Sequence, residues 1–135
     1  MALNILVVDD SSVMRAIIIK TLRLSHLSLG KVREAANGQE ALKVLDGNWI
    51  DLALVDINMP VMDGEEMIDR IRQNPATADL PVIIVSTEGS EIRKERLMQK
   101  GAGFVHKPFT PETLRFAILK TLGGLNEQEA GDGTL

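Results

Sequence analysis

Short apolar runs alternate along this chain with longer stretches in which apolar residues recur every three or four positions. Ile5-Leu6-Val7-Val8, Leu52-Ala53-Leu54-Val55 and Val82-Ile83-Ile84-Val85 contain no polar residue. Strands of that kind are buried on both faces, the habit of parallel sheets covered by helices. Phe104-Val105, after Gly101-Ala102-Gly103, predicts a weaker strand, and the less apolar segment Lys31 to Ala36 predicts an edge strand.

Helix signals fill the intervals. Met14, Ile18 and Leu22 recur every fourth residue behind Ser11 and Ser12, either of which can cap a first helix. Asn37-Gly38-Gln39-Glu40 reads as a capping box opening a helix that stops at Gly47. Asp63-Gly64-Glu65-Glu66 repeats the device ahead of Met67, Ile68 and Ile71. A fourth helix from Ser90 to Lys100, ended by Gly101, puts Ile92, Leu97 and Met98 on a core stripe and Arg93, Lys94 and Arg96 on a solvated face. Thr110-Pro111, an N-cap followed by proline in the first turn, opens a fifth helix ending near Gly123-Gly124. The leucines between Leu22 and Leu29 fit neither period, so that segment reads as a helix end and a connection. Trp49 is expected to pack at the bottom of the sheet. The sum is an α/β fold, (βα)5, built on an open parallel sheet of five strands. Two strand orders suit it, and in either a ligand binds beyond the carboxyl ends of the strands.

Composition narrows the function. A length of 135 residues suits one domain at roughly 150 residues per domain. With 44% hydrophobic and 25% charged residues the chain can bury a real core, which excludes general disorder. A net charge of −4 gives no electrostatic reason to lie along nucleic acid or an anionic membrane. Phe104, Phe109, Phe116 and Trp49 are too few to stack bases. The absence of cysteine removes disulfides, thiolate zinc sites and cysteine nucleophiles, and His26 and His106 alone do not make a histidine-rich metal centre. No apolar run approaches the roughly 18 residues needed to cross a bilayer, and Met1-Ala2-Leu3-Asn4 lacks the basic start of a signal peptide. A cytoplasmic location is expected, with no nucleic acid partner and no membrane insertion.

The chemistry lies where the strands stop. The first apolar run ends in Asp9-Asp10, the third strand in Asp56, the fourth in Ser86-Thr87 and the fifth in His106-Lys107. Strand polarity alone gathers these ends on one edge of a parallel sheet. Three carboxylates crowded there repel one another, so at least one is expected to have its pKa raised. Lys107 offsets one charge. A hard divalent cation, magnesium or calcium, answers the remainder. Magnesium takes only one or two protein carboxylates and keeps other positions for water or phosphate oxygens, so such a site suits a phosphoryl group.

Asp9-Asp10, Asp56-Ile57-Asn58-Met59-Pro60, Met62-Asp63-Gly64, Ser86 and Lys107-Pro108-Phe109-Thr110 together resemble the signature of response-regulator receiver domains of two-component signalling. The resemblance runs from Asn4 to Gly123 and is strongest toward the single-domain chemotaxis regulators. It implies a three-layer flavodoxin-like fold with sheet order 2-1-3-4-5 and a receiver domain over residues 1–124; the polar, glycine-containing stretch 125–135 reads as a disordered tail. It also implies roles. Asp56 would accept the phosphoryl group from a phosphohistidine on a histidine kinase. Mg2+ would be held by Asp10 directly, by Asp9 partly through water, by Asp56 and by the main-chain carbonyl of Asn58. Lys107 and Ser86 would contact phosphoryl oxygens, and Asn58 and Glu88 would tune the lifetime of the phosphoryl group. Ser86 drawn inward would let Phe104 turn toward the core. Phe104 stands where many chemotaxis relatives carry tyrosine, so it lacks the hydroxyl that could bond at the surface. The resemblance makes the fourth helix, fifth strand and fifth helix the output surface for a downstream protein such as a motor switch, a phosphatase or another effector. The chain would then catalyse only its own phosphorylation and dephosphorylation.

Other readings of the same residues fall short. Ser11 and Ser12 have no histidine placed to activate them and read as caps. His106 lies in a strand, whereas phosphotransfer histidines sit on helices, so a structural or solvent-facing role fits it. A Mg2+-dependent phosphatase of the haloacid dehalogenase type needs its nucleophile and acid two residues apart, but Asp9 and Asp10 are adjacent. A flavin carrier would meet repulsion between those aspartates and the flavin phosphate. A degenerate receiver, or one serving only as a phosphate sink, remains as an alternative within the family; the full set of site residues speaks against the degenerate form.

Overall fold

A computed structural model describes residues 2–57, 62–87 and 91–123, the side chains of 91–93 excepted. Strands and helices alternate throughout: β1 (Leu3–Val8), α1 (Ser12–Leu24), β2 (Leu29–Ala35), α2 (Gly38–Gly47), β3 (Leu52–Val55), α3 (Gly64–Gln73), β4 (Val82–Ser86), α4 (Glu91–Gln99), β5 (Ala102–His106) and α5 (Pro111–Thr121). The strands pair in parallel in the order β2-β1-β3-β4-β5.

The unbroken apolar runs are explained by two cores. Leu6, Val8, Ala53, Val55, Val82 and Ile84 pack with Ala41, Met67, Ile68, Ile71 and Leu97, so α2, α3 and α4 cover one face. Ile5, Val7, Leu52, Leu54, Ile83 and Val85 pack with Ile18, Leu22, Leu114 and Ile118, so α1 and α5 cover the other. Alternate residues of each central strand therefore feed opposite layers. This is the three-layer flavodoxin-like arrangement. β2, more polar and partly exposed, is an edge strand as its composition predicts. The β1/β3 neighbours form the topological switch point, where the crossovers leave to opposite sides and a crevice opens.

The predicted caps form, with adjustments. Ser11 accepts from the Met14 amide at 3.1 Å, Asn37 from Glu40 at 2.9 Å and Asp63 from Glu66 at 2.9 Å. The reciprocal halves of the two acidic boxes go elsewhere: Glu40 accepts from the Ala36 amide, and Glu66 pairs with Arg70. Thr110 and Thr113 make the full reciprocal box that opens α5. Gly101 closes α4 with φ +83°, a conformation that favours glycine.

Two expectations are corrected. Trp49 does not pack under the sheet but stays 78% exposed, because its indole N–H donates to Asp51 at 2.9 Å while the other Asp51 oxygen accepts from the Asn4 amide. Met98 is exposed, so of the proposed stripe on α4 Leu97 enters the core; the Ile92 side chain and Ser90 lie outside the described residues. Arg96 lies half-exposed on the solvated face, as expected, and also makes an ion pair. It reaches across to Glu65 on α3, where Lys100 also binds and extends to Asp69.

Candidate functional site

The register of the sheet aligns the polar strand ends. Val8 of β1 pairs with Val55 of β3, so Asp9 and Asp56 leave the switch point side by side. The Asp56 amide donates to the Val8 carbonyl at 2.8 Å, and the Asp9 amide donates to Ala35 at 3.1 Å. On the far side Ser86 pairs with His106, and the Lys107 amide donates to the Ser86 carbonyl at 2.9 Å. These bonds extend the ladders by one residue, which fixes the backbone from which each polar side chain projects.

One oxygen from each of Asp9, Asp10 and Asp56 lies within 4.8 Å of the others. Their exposure is graded: Asp9 is buried, Asp56 is half-buried and Asp10 faces solvent. The Asp9 Oδ1 accepts from the Ser11 amide at 2.9 Å, so this carboxylate also helps shape the entry to α1. Its Oδ2 is different. It is buried and accepts no hydrogen bond, and it faces the Lys107 ammonium at 3.8 Å, too long for one. The Asp9 carboxyl titrates above its ordinary range. Burial is the largest cause, the Ser11 N–H opposes it, the Asp56 charge adds to it and Lys107 lowers it again. Repulsion among the acids, expected as the reason, is thus secondary to desolvation.

An orphaned buried carboxylate oxygen, two neighbouring carboxylates and an open outer side fit a small hard cation. Carboxylate oxygens are the donor type magnesium prefers, one or two of the three acids suffice as direct ligands, and the exposed flank leaves room for water or phosphate oxygens. The same edge carries Ser86, almost wholly buried, and Lys107, whose peptide bond to Pro108 is cis. Phe104 lies half-buried in β5 against the α2–α4 core, with the Lys94 ammonium 5.2 Å from its ring centroid. His106 is exposed, and its Nδ1 lies 2.8 Å from the Lys107 carbonyl oxygen. Asn58 and Glu88, proposed for metal binding and lifetime tuning, fall outside the described residues.

Two residues gain importance only in three dimensions. Gly64 begins α3 where a Cβ would lie 2.7 Å from the Asp56 carbonyl oxygen and 2.7 Å from Ile57 Cα. Arg15, in sequence one more cation on an amphipathic helix, donates to the main-chain carbonyl of Asp9 at 2.7 Å. A cleft of about 510 Å³ at the opposite edge, lined by Trp49, Asp51, Pro75 and Asp79, contains none of these groups.

Comparison with known proteins agrees with this geometry. The profile of the response regulator receiver domain matches residues 5–119. Chemotaxis protein CheY1 of Helicobacter pylori is 37% identical over 123 residues, 90% of this chain and 98% of the relative. The CheY homolog of Campylobacter jejuni is 39% identical over 124 residues, 90% and 93% of the two chains. The high-resolution structure of chemotaxis response regulator CheY4 of Vibrio cholerae superposes with a TM-score of 0.79 at 33% identity, covering 90% of this chain and 99% of that one.

Proposed function

Because this chain belongs to the response regulator receiver domain family, we propose that it is a phosphorylation-dependent binding switch that takes a phosphoryl group onto Asp56. The donor is a phosphohistidine on a histidine kinase. An Asp56 carboxylate oxygen attacks phosphorus in line, the P–N bond breaks as the P–O bond forms, and the imidazole leaves with a proton from solvent. Phosphoryl transfer asks mainly for alignment and neutralisation of charge on the equatorial oxygens. Bound Mg2+ supplies part of that neutralisation. Asp9, Asp10, Asp56 and the Asn58 carbonyl are the groups that would hold it, Lys107 pairs with a phosphoryl oxygen, and Ser86 donates a hydrogen bond to another. Attack of water on the acyl phosphate resets the protein, with Asn58 and Glu88 tuning the rate. The observation that carries this reading is the cluster of three carboxylates at the switch point, with Asp9 Oδ2 buried and lacking a hydrogen bond.

Output follows through Ser86 and Phe104. Ser86 moving toward the phosphoryl group makes room for the Phe104 ring, which lies between the core and the Lys94 ammonium. The surface that responds is α4-β5-α5, where Met98 and Phe116 are exposed beside Lys94 and Lys120. That combination suits a protein partner offering apolar and acidic side chains. The similarity to chemotaxis proteins favours chemotaxis-type signalling in the cytoplasm. Acetyl phosphate with Mg2+ tests the core of the reading by intact-mass analysis. One phosphoryl group is expected on the wild type and none on Asp56→Asn; undiminished labelling of the variant would discard Asp56 as acceptor.

A further inference from the structure

The polar atoms of Asp9 are accounted for one by one. Its amide is held by Ala35, its Oδ1 by the Ser11 amide, and its carbonyl by Nη1 of Arg15 at 2.7 Å. Only Oδ2 is left without a hydrogen bond, and this is the oxygen turned toward Lys107 on the candidate metal rim. Arg15 is itself held. Its Nε donates to Glu34 Oε1 at 2.9 Å, its side chain is only 16% exposed, and Glu34 precedes Ala35, the residue that receives the Asp9 amide. The guanidinium therefore spans from the end of β2 to the end of β1, using two edges of one rigid plane.

We propose that Arg15 is a positioning residue for the cation site, clamping the Asp9 backbone so that Oδ2 stays aimed at the rim, with Glu34 fixing the clamp. The inference rests on the reading that the three aspartates hold Mg2+. Partners that orient a metal ligand typically govern affinity by 10- to 100-fold, roughly, when removed. A lysine does not replace the arginine, because its single ammonium lacks the planar fork that meets the Asp9 carbonyl and Glu34 together.

At Arg15 geometry and electric field make opposite demands, which allows a decisive test. If Arg15 acted only through its charge, Arg15→Gln would tighten Mg2+ binding by removing a repulsive cation, and Glu34→Gln would loosen it slightly. If Arg15 positions Asp9, both variants loosen it, and so does Arg15→Lys with its charge kept. Calorimetric titration of the full chain with Mg2+ should give a dissociation constant raised about tenfold for Arg15→Gln and Arg15→Lys, with a smaller rise for Glu34→Gln. Amide hydrogen exchange of Asp9 and Ser11 without metal should speed up in the same order. Glu34 is half-exposed, and metal-free amide exchange in its variant, which a change of field at the cation site does not move, keeps the test open should an Arg15 variant fail to fold. Unchanged or tighter binding by the folded Arg15 variants, or unchanged exchange at Asp9 and Ser11 in Glu34→Gln if they do not fold, would overturn the proposal. Wild-type protein that takes up no Mg2+ would instead overturn the reading beneath it.

Discussion

Substituting alanine for Gly64 addresses how tightly Asp56, the proposed phosphoacceptor, is placed. The added methyl would sit 2.7 Å from the Asp56 carbonyl oxygen and from Ile57 Cα. Both are main-chain atoms, so no side chain can swing away. The Gly64 amide also donates to the Ile57 carbonyl at 3.0 Å, which pins α3 against that same backbone. To reach the 3.4 Å of an ordinary contact, the end of β3 and the start of α3 must separate by about 0.7 Å. Overpacking of this kind costs about 1–3 kcal/mol of stability. A displacement approaching 1 Å at a reacting group lowers the rate by up to about 100-fold. Gly64→Ala should therefore remain folded, melt earlier, and take phosphoryl from acetyl phosphate about 10- to 100-fold more slowly than wild type at saturating Mg2+. The comparison is Gly47→Ala, where no atom lies within 4 Å of the new methyl. It should phosphorylate normally and gain up to about 1 kcal/mol, as alanine does over glycine in a helix. Initial rates below the melting transition, with circular dichroism to establish folding, decide the matter. Wild-type labelling by folded Gly64→Ala would refute the claim that this contact sets the position of Asp56.

Asp9→Asn should stabilise the metal-free protein at neutral pH, because the Asp9 carboxyl is raised above 3.8, chiefly by burial. A raised acid favours the folded state while protonated and loses that advantage as pH climbs from 3.8 through the folded value. The gain of the variant should thus shrink toward acid in denaturant melts, and a constant difference across pH would contradict it. Glu65 behaves oppositely: the Arg96 bond leads in lowering its carboxyl from 4.5 to about 2, with Lys100 contributing. Its contribution is present above pH 4.5 and lost as pH falls toward 2. Wild type should therefore exceed Glu65→Gln in melting temperature at pH 6 by a small, salt-sensitive margin that closes in acid, since solvent screens such pairs. A margin that persists at pH 2 would remove the ion pairs as its source.

Much of the fold was legible because the pattern is strong. Three four-residue runs without a polar residue can only be buried on both sides, and capping residues mark four of the five helix starts. β5 was visible only as Phe104-Val105, since glycine and alanine in its first half carry no strand signal; pairing with β4 brings Ala102 and Gly103 into the sheet. Strand polarity also placed Asp9, Asp10 and Asp56 together before any distance was known. The position of Trp49 was illegible, because an indole reads as core from composition while one hydrogen bond to Asp51 holds it outside. Arg15 was hidden for a related reason: its role depends on a main-chain carbonyl six residues back and on Glu34 across the sheet, neither of which leaves a local pattern.

Under the proposed function, a divalent cation belongs among the three acids at this edge and offsets their repulsion. Isothermal calorimetry with Mg2+ tests it without any phosphodonor. One Mg2+ per wild-type chain is expected, with clearly weaker uptake by Asp56→Asn, which keeps an oxygen at that position but loses its charge. Absence of binding in the wild type, or equal affinity in the two proteins, would contradict it.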